Sequence, residues 1–166
     1  MREYSHKKGM EYQRAVKDWL EFRSFLGFKT EPFGDAYDQT KKAAEIGSSF
    51  FDFSLKLKKA DQVKQILYAE CKFRREKHGN TNREFNEFIK KVYFSLSGPE
   101  ENEAENAEFC FISNIPPDKW RKFLNDKFIY SFHQLKKENI EIKPRVINSL
   151  ANQLHILILS EAIIGR

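Results

Sequence analysis

The hydrophobic pattern divides the chain into helical and extended segments. Over residues 9–26, Met10, Val16, Trp19, Leu20 and Leu26 form a broad apolar stripe, and Gly27 is a natural helix stop. Residues 29–47 are irregular, with Pro32 and Gly34 as breakers and room for one further strand over 36–46. Residues 49–57 alternate: Phe51, Phe53, Leu55 and Leu57 share one face, while Phe50, Asp52, Ser54 and Lys56 share the other. Residues 66–73 alternate likewise, with Leu67, Ala69, Cys71 and Phe73 opposite Ile66, Tyr68, Glu70 and Lys72. A period of two marks half-buried strands, and the polar stretch 58–65 between them predicts an antiparallel hairpin.

Downstream, Thr81 and Glu84 have capping-box spacing ahead of Phe85, Phe88, Ile89, Val92 and Leu96, which predicts an amphipathic helix ending near Gly98-Pro99. Residues 99–108 carry five glutamates and read as an exposed loop. Residues 109–112 read as a short interior strand. Pro116-Pro117 opens a helix carrying Trp120, Phe123 and Leu124, residues 127–134 fit either helix or strand, and Pro144 opens a last helix to about residue 164. The expected order is helix, strand, strand, helix, strand, helix, helix.

Length and composition bound what such a chain does. A chain of 166 residues fits one domain. Its longest apolar run, Ile156, Leu157, Ile158 and Leu159, is far short of the roughly 20 residues of a membrane helix. No apolar segment follows the basic N-terminus, so the expectation is no secretory leader, no membrane partner and a cytoplasmic location. Two cysteines, Cys71 and Cys110, exclude a disulfide scaffold and a four-cysteine zinc site, and both fall on apolar strand faces. The four histidines show no metal spacing. Deaminase and P-loop signatures are absent. The net charge of +5 suits a polyanionic partner.

The hairpin supplies the chemistry. With residue 61 as midpoint, Phe51 faces Cys71, Phe53 faces Ala69 and Leu55 faces Leu67, so the apolar faces match. The same register sets Asp52 opposite Glu70, with Lys72 one step along the same face. Directly opposed residues have Cβ atoms about 4.5–5.5 Å apart. Paired carboxylates at that distance favour a hard cation such as Mg²⁺, with the Cys71 carbonyl as a third oxygen. Lys72 is then placed to hold or deprotonate a water, or to offset charge on a phosphoryl transition state. Read as structure alone, the same residues are a cross-strand ion pair on a solvated face.

Phe51-Asp52 on one strand and Ala69-Glu70-Cys71-Lys72 on the next, with Gly9-Met10-Glu11 on an upstream helix, resemble the PD-(D/E)xK nuclease superfamily. The likeness covers about residues 9–115 and is closest to the type IV restriction enzyme and junction-resolvase branches. Phe51 stands where the superfamily's motif has proline, and Asp38 is a rival for the first carboxylate. The resemblance implies an α/β (α+β) fold with a restriction-endonuclease-like core: helix, three strands, helix and strand in a mixed sheet flanked by helices. The whole chain, 1–166, is then a single nuclease-like domain with extra C-terminal helices over about 116–166. It implies Asp52 and Glu70 as metal ligands, Lys72 as catalytic lysine and Glu11 assisting through water. Mg²⁺ is the implied cofactor, with Mn²⁺ as substitute. DNA is the implied substrate, cut by an endonuclease of restriction, defence or DNA processing.

Around Lys72 the basic run Arg74, Arg75, Lys77, Arg83 and Lys90 offers phosphate contacts, with Lys91 a weaker candidate and His78 a further one. One domain without a recognition module implies either a homodimer or additional domains of a larger protein. The competing expectation is a non-catalytic nucleic-acid-binding or protein-interaction module on the same fold.

Overall fold

A computed structural model describes residues 2–23, 28–30, 45–46, 49–59, 62–75, 80–98 and 106–164. Asp38, Lys77, His78 and the glutamates at 100, 101, 103 and 105 lie outside them. Helix α1 (Arg2–Asp18) runs into a π-helical turn (Trp19–Arg23). There follow β1 (Phe28–Thr30), β2 (Glu45–Ile46), β3 (Ser49–Phe50), β4 (Phe53–Lys59), β5 (Gln62–Lys72) and α2 (Asn80–Ser97). The remainder is β6 (Ala107–Ser113), α3 (Trp120–Asn125), α4 (Lys127–Lys137), α5 (Pro144–Gln153), β7 (Leu154–Ile158) and α6 (Glu161–Ile164).

Five strands form a mixed sheet in the order β1-β4-β5-β6-β7, in which the three-residue β1 edges four longer strands, and β2 and β3 pair as a separate antiparallel ladder. Pairing is antiparallel from β1 through β4 to β5, and parallel from β5 through β6 to β7. The β4–β5 hairpin adopts the predicted register, Phe53 with Ala69, Ser54 with Tyr68 and Leu55 with Leu67, until it slips by one residue after Leu57. That register is fixed by burial, because moving it by one would turn Phe53 and Leu55 out of the core.

Both faces of the sheet are covered. On one, Tyr12, Val16 and Leu20 of the first helix pack on Phe53, Leu55, Leu67, Ala69, Cys110 and Ile112. On the other, Phe85, Phe88, Ile89 and Val92 of α2 and Ile147 and Leu150 of α5 pack on Tyr68, Phe109 and Phe111. Residues 109–112 of β6 are therefore a continuous apolar run, as a parallel strand buried on two faces must be. Tyr12 Oη donates to the Leu159 carbonyl at 2.8 Å, tying α1 to the chain beyond β7.

The structure corrects several expectations. The first helix begins at Arg2 and leaves α geometry at Trp19. The C-terminal region is not purely helical: α5 stops at Gln153, and Leu154–Ile158 is the strand β7, paired with β6. A short apolar run carries no period that separates strand from helix, and the partner strand decides. Residues 28–30, read as entering an irregular stretch, form β1. Residues 127–137 are helix, capped by Asp126, whose Oδ1 accepts from the Ile129 amide at 2.9 Å. Thr81 lies buried inside the first turn of α2, and Glu84 pairs with Arg74. Glu108, expected in a loop, is part of β6 and meets His155 Nε2 at 2.7 Å.

The largest correction concerns residues 49–57, which are not one strand. The chain bends at Asp52, and Phe51 crosses to the α2 face, where its ring lies 5.7 Å from Tyr68, 5.9 Å from Phe88 and 5.5 Å from Phe109. A double-mutant cycle checks this. Phe51→Ala with Phe88→Ala should show coupling of about 0.5–1.5 kcal/mol, the size of an aromatic pair. Phe51→Ala with Val16→Ala should be additive within about 0.5 kcal/mol. The reverse pattern in urea denaturation would put Phe51 back on the α1 face.

Candidate active site

Because β4 begins only at Phe53, the last three residues of β5 outrun it. Glu70, Cys71 and Lys72 pair with Phe111, Ile112 and Ser113 of β6 on one side. On the other side the bend at Asp52 fills the notch. The Asp52 amide donates to the Ala69 carbonyl at 3.0 Å, and Asp52 Oδ2 accepts from the Cys71 amide at 2.8 Å. From α1, Gln13 Nε2 donates to the Asp52 carbonyl at 3.3 Å. The carboxylate thus stands in for the strand that has left, at the backbone between Glu70 and Lys72.

Strand alternation places Glu70 and Lys72 on the same face as Tyr68, beneath α2. Lys91 of α2 descends onto it: its Nζ lies 2.7 Å from Glu70 Oε1 and 4.5 Å from the centre of the Phe51 ring. The Glu70 side chain retains 13% exposure and that of Lys91 28%. In so dry a setting a charge-assisted bond is strong, and either partner alone is costly.

Burial pushes the Asp52 carboxyl above its ordinary range, and the Glu70 charge adds to the rise. The Cys71 amide, Lys72 and Lys91 pull it down without cancelling the rise. Asp52, Glu70, Lys72 and Lys91 therefore share one electrostatic neighbourhood. Both thiols are core groups. Cys71 packs against the α1-side core, and burial pushes its thiol well above the usual range. Cys110 is pushed up to about 12 by the same cause.

The other expected site residues fall less neatly. Glu11 is exposed on α1 and lies 3.9 Å from Lys8, and no contact among the described residues joins it to Asp52 or Glu70. Cys71 meets Asp52 through its amide, not its carbonyl. Arg74 is ion-paired with Glu84, and its backbone is held on both sides by the Asn114 side chain, at 2.8 and 2.6 Å. Lys90 lies 3.4 Å from Glu87 and 3.3 Å from Glu138. Arg75 and Arg83 are exposed. Two residues of the site were underrated or missed. Lys91 had a signal: it is three residues beyond buried Phe88 and four before buried Ser95, on the edge of the buried stripe. Gln13 had none, since its role depends on where Asp52 bends.

The oxygen donors at the notch are the carboxylates of Asp52 and Glu70. Among the described residues no group of three or more His, Cys, Asp or Glu side chains converges. No protein-family model, no curated protein and no solved structure matches this chain.

Two measurements follow from this geometry. Lys91→Met keeps the aliphatic stem but strands Glu70, and should cost about 1–3 kcal/mol of stability. Lys90→Met, at a solvent-screened pair, should cost clearly less in the same urea titration. An equal effect would mean the Lys91–Glu70 pair is surface-like. Asp52→Asn should raise Tm at pH 7 in EDTA, because it removes a charge that burial and Glu70 disfavour. A raised carboxyl pKa penalises folding in full above the folded-state value and not at all below the unfolded one. The gain in Tm should therefore shrink as pH falls through that value toward the ordinary aspartate range near ~3.9. A Tm that falls at pH 7, or a gain that grows on acidification, would contradict it.

Proposed function

We propose that this chain is a Mg²⁺-dependent nuclease that hydrolyses DNA phosphodiesters at the notch between β4 and β5. The observation that carries this reading is that Asp52 sits where β5 outruns β4, bonded to the Cys71 amide and within electrostatic reach of Glu70 and Lys72. The fold order supports it. With the short β2–β3 ladder between β1 and β4 set aside, α1, β1, β4, β5, α2 and β6 follow helix, strand, strand, strand, helix, strand, with those strands adjacent in the sheet. That is the arrangement expected of a restriction-endonuclease-like core, with β7 added at the edge.

In this reading Asp52 and Glu70 hold the cation, with the Cys71 carbonyl as a third oxygen. When bound, Mg²⁺ (or Mn²⁺ in its place) polarises a phosphoryl oxygen and neutralises charge building on it. Lys72, on the same face, orients the attacking water and offsets that charge. Asp52 is held by the Cys71 amide and its backbone by Gln13, so its position is set before substrate arrives. Lys91 must yield Glu70 Oε1 or share it. Endonucleolytic action in restriction, defence or DNA processing, by a homodimer or with further domains, belongs to the same proposal.

One observation favours a second reading. The Lys91 ammonium already neutralises Glu70, so the site is electrostatically complete without a cation. A non-catalytic nucleic-acid-binding module on this fold would keep such a pair.

Cleavage of supercoiled, linear and single-stranded DNA in Mg²⁺, Mn²⁺ or EDTA separates the two. Wild type should cut only with the divalent cation. Glu70→Gln and Lys72→Met should each lose at least about 10²-fold in rate, the scale of removing a transition-state charge contact, with unchanged circular dichroism. Wild-type rates in either variant, or no cleavage in any cation, would leave the binding module as the better description.

A further inference from the structure

Arg74, Lys90 and Lys91 near the notch are committed to carboxylates, but three lysines at the junction of the C-terminal helices are not. Residues 118–145 carry eight Lys and Arg against four Asp and Glu, a surplus close to that of the whole chain. Helices α3 and α4 meet at Asp126, which ends one and caps the other. The angle between them opens a cleft of about 270 Å³. Lys119 and Lys122 line it from α3, and His133 and Lys137, four apart on one stripe, line it from α4. Among the described residues, Lys119, Lys122 and Lys137 have no carboxylate partner. Asp126, the carboxylate in the cleft, is occupied by the Ile129 amide.

The next stripe round α4 is aromatic. Phe128 and Phe132 stack at 6.2 Å with their planes 14° apart, Phe128 is 38% exposed, and Lys136 lies 5.4 Å over the Phe132 ring. Unpaired lysines in an open cleft hold a small anion weakly. A polyanion gains by releasing counterions at each contact. An exposed ring platform beside the lysines adds a surface on which bases stack, which an acidic polypeptide does not use.

We infer that the α3–α4 cleft is an anchoring surface for a nucleic-acid strand, separate from the notch, with backbone phosphates at Lys119, Lys122 and Lys137 and an unpaired base on Phe128, whose ring Phe132 backs. The inference rests on the nucleic-acid reading above but not on catalysis. The cleft is fixed relative to the notch through α2: Tyr130 Oη of α4 donates to Asn86 at 3.0 Å, and Lys90 pairs with Glu138, while Lys91 faces Glu70.

The test is fluorescence-anisotropy binding of the full chain to two labelled single-stranded 20-mers of unrelated sequence, in EDTA, titrated with salt. Lys122→Glu/Lys137→Glu should weaken both alike, by about tenfold at low salt. It should also flatten the log K against log salt slope by about one and a half units, since each single-strand contact contributes about −0.7. The same charge change elsewhere, Lys17→Glu/Lys143→Glu, should leave the slope near wild type. Phe128→Ala should weaken binding roughly five- to a hundredfold, the range of one stacked base, without changing the slope. Unchanged binding in the cleft variant, an equal effect in the control pair, or wild-type binding of polyglutamate but not of the oligonucleotides would each overturn the inference. Mg²⁺-dependent cleavage measured in parallel keeps the two proposals apart. Cleavage with an unchanged slope sinks the cleft alone, and a flattened slope without cleavage sinks the nuclease alone.

Discussion

The bond from the Cys71 amide to the Asp52 carboxylate is where the sheet stops being regular and the site begins. Had β4 continued to residue 49, Phe51 would sit against α1, and backbone groups would complete the ladder beside Glu70 and Lys72. Instead the chain turns, and a side-chain oxygen takes over a ladder amide that would otherwise be left without a partner inside the protein. Three consequences follow from that substitution. The end of β5 is left open on one side, Asp52 is pinned at the backbone between the other two charged residues, and Phe51 is released to the opposite face. There its ring packs among Tyr68, Phe88 and Phe109 and lies under Lys91.

The charge balance at the notch explains why the arrangement is tense rather than inert. Two carboxylates and two ammonium groups sum to zero, yet the Asp52 carboxyl still lies above its ordinary range. Desolvation outweighs the help from the Cys71 amide, Lys72 and Lys91, and Glu70 makes matters worse. Lys91 has settled on Glu70, at 2.7 Å, and so leaves Asp52 the less compensated of the two. A site with a buried carboxylate in this state stabilises an added positive charge more than a solvated face does.

Much of this was legible in the residues. The alternation of 53–57 against 65–69 set the hairpin register, and the helical stripe of Phe85, Phe88, Ile89 and Val92 marked α2, because both patterns are imposed by burial. The facing of Glu70 and Lys72 followed from the same alternation. What was not legible depends on distant partners. The period-two pattern runs through Phe51 unbroken, yet the Asp52 carboxylate can replace a strand only because the Cys71 amide, nineteen residues away, is unfilled. Leu154 to Ile158 read as helix because four consecutive apolar residues suit either structure, and only pairing with β6 distinguishes them. The basic run was visible as composition, but not that Arg74 and Lys90 spend their charge on Glu84, Glu87 and Glu138.

Helix α2 shows how one element links these features without merging them. Its apolar stripe is locked onto Phe109 and Phe111, so the helix has little freedom to rotate or slide over the sheet. From that fixed axis Lys91 reaches down to Glu70, while Asn86 and Lys90 reach outward to Tyr130 and Glu138 of α4. Arg74, Lys90 and Lys91 near the notch are ion-paired, whereas Lys119, Lys122 and Lys137 at the cleft have no carboxylate partner among the described residues, and this division has a physical logic. Close to a dry carboxylate, every extra unpaired lysine would either capture that carboxylate or compete with a cation for it, as Lys91 already does. On the α4 side of α2, the lysines proposed to hold a polyanion take no part in the balance at Asp52 and Glu70. The separation lets one small sheet carry a buried acidic notch and an open basic surface on the same side of the molecule's core.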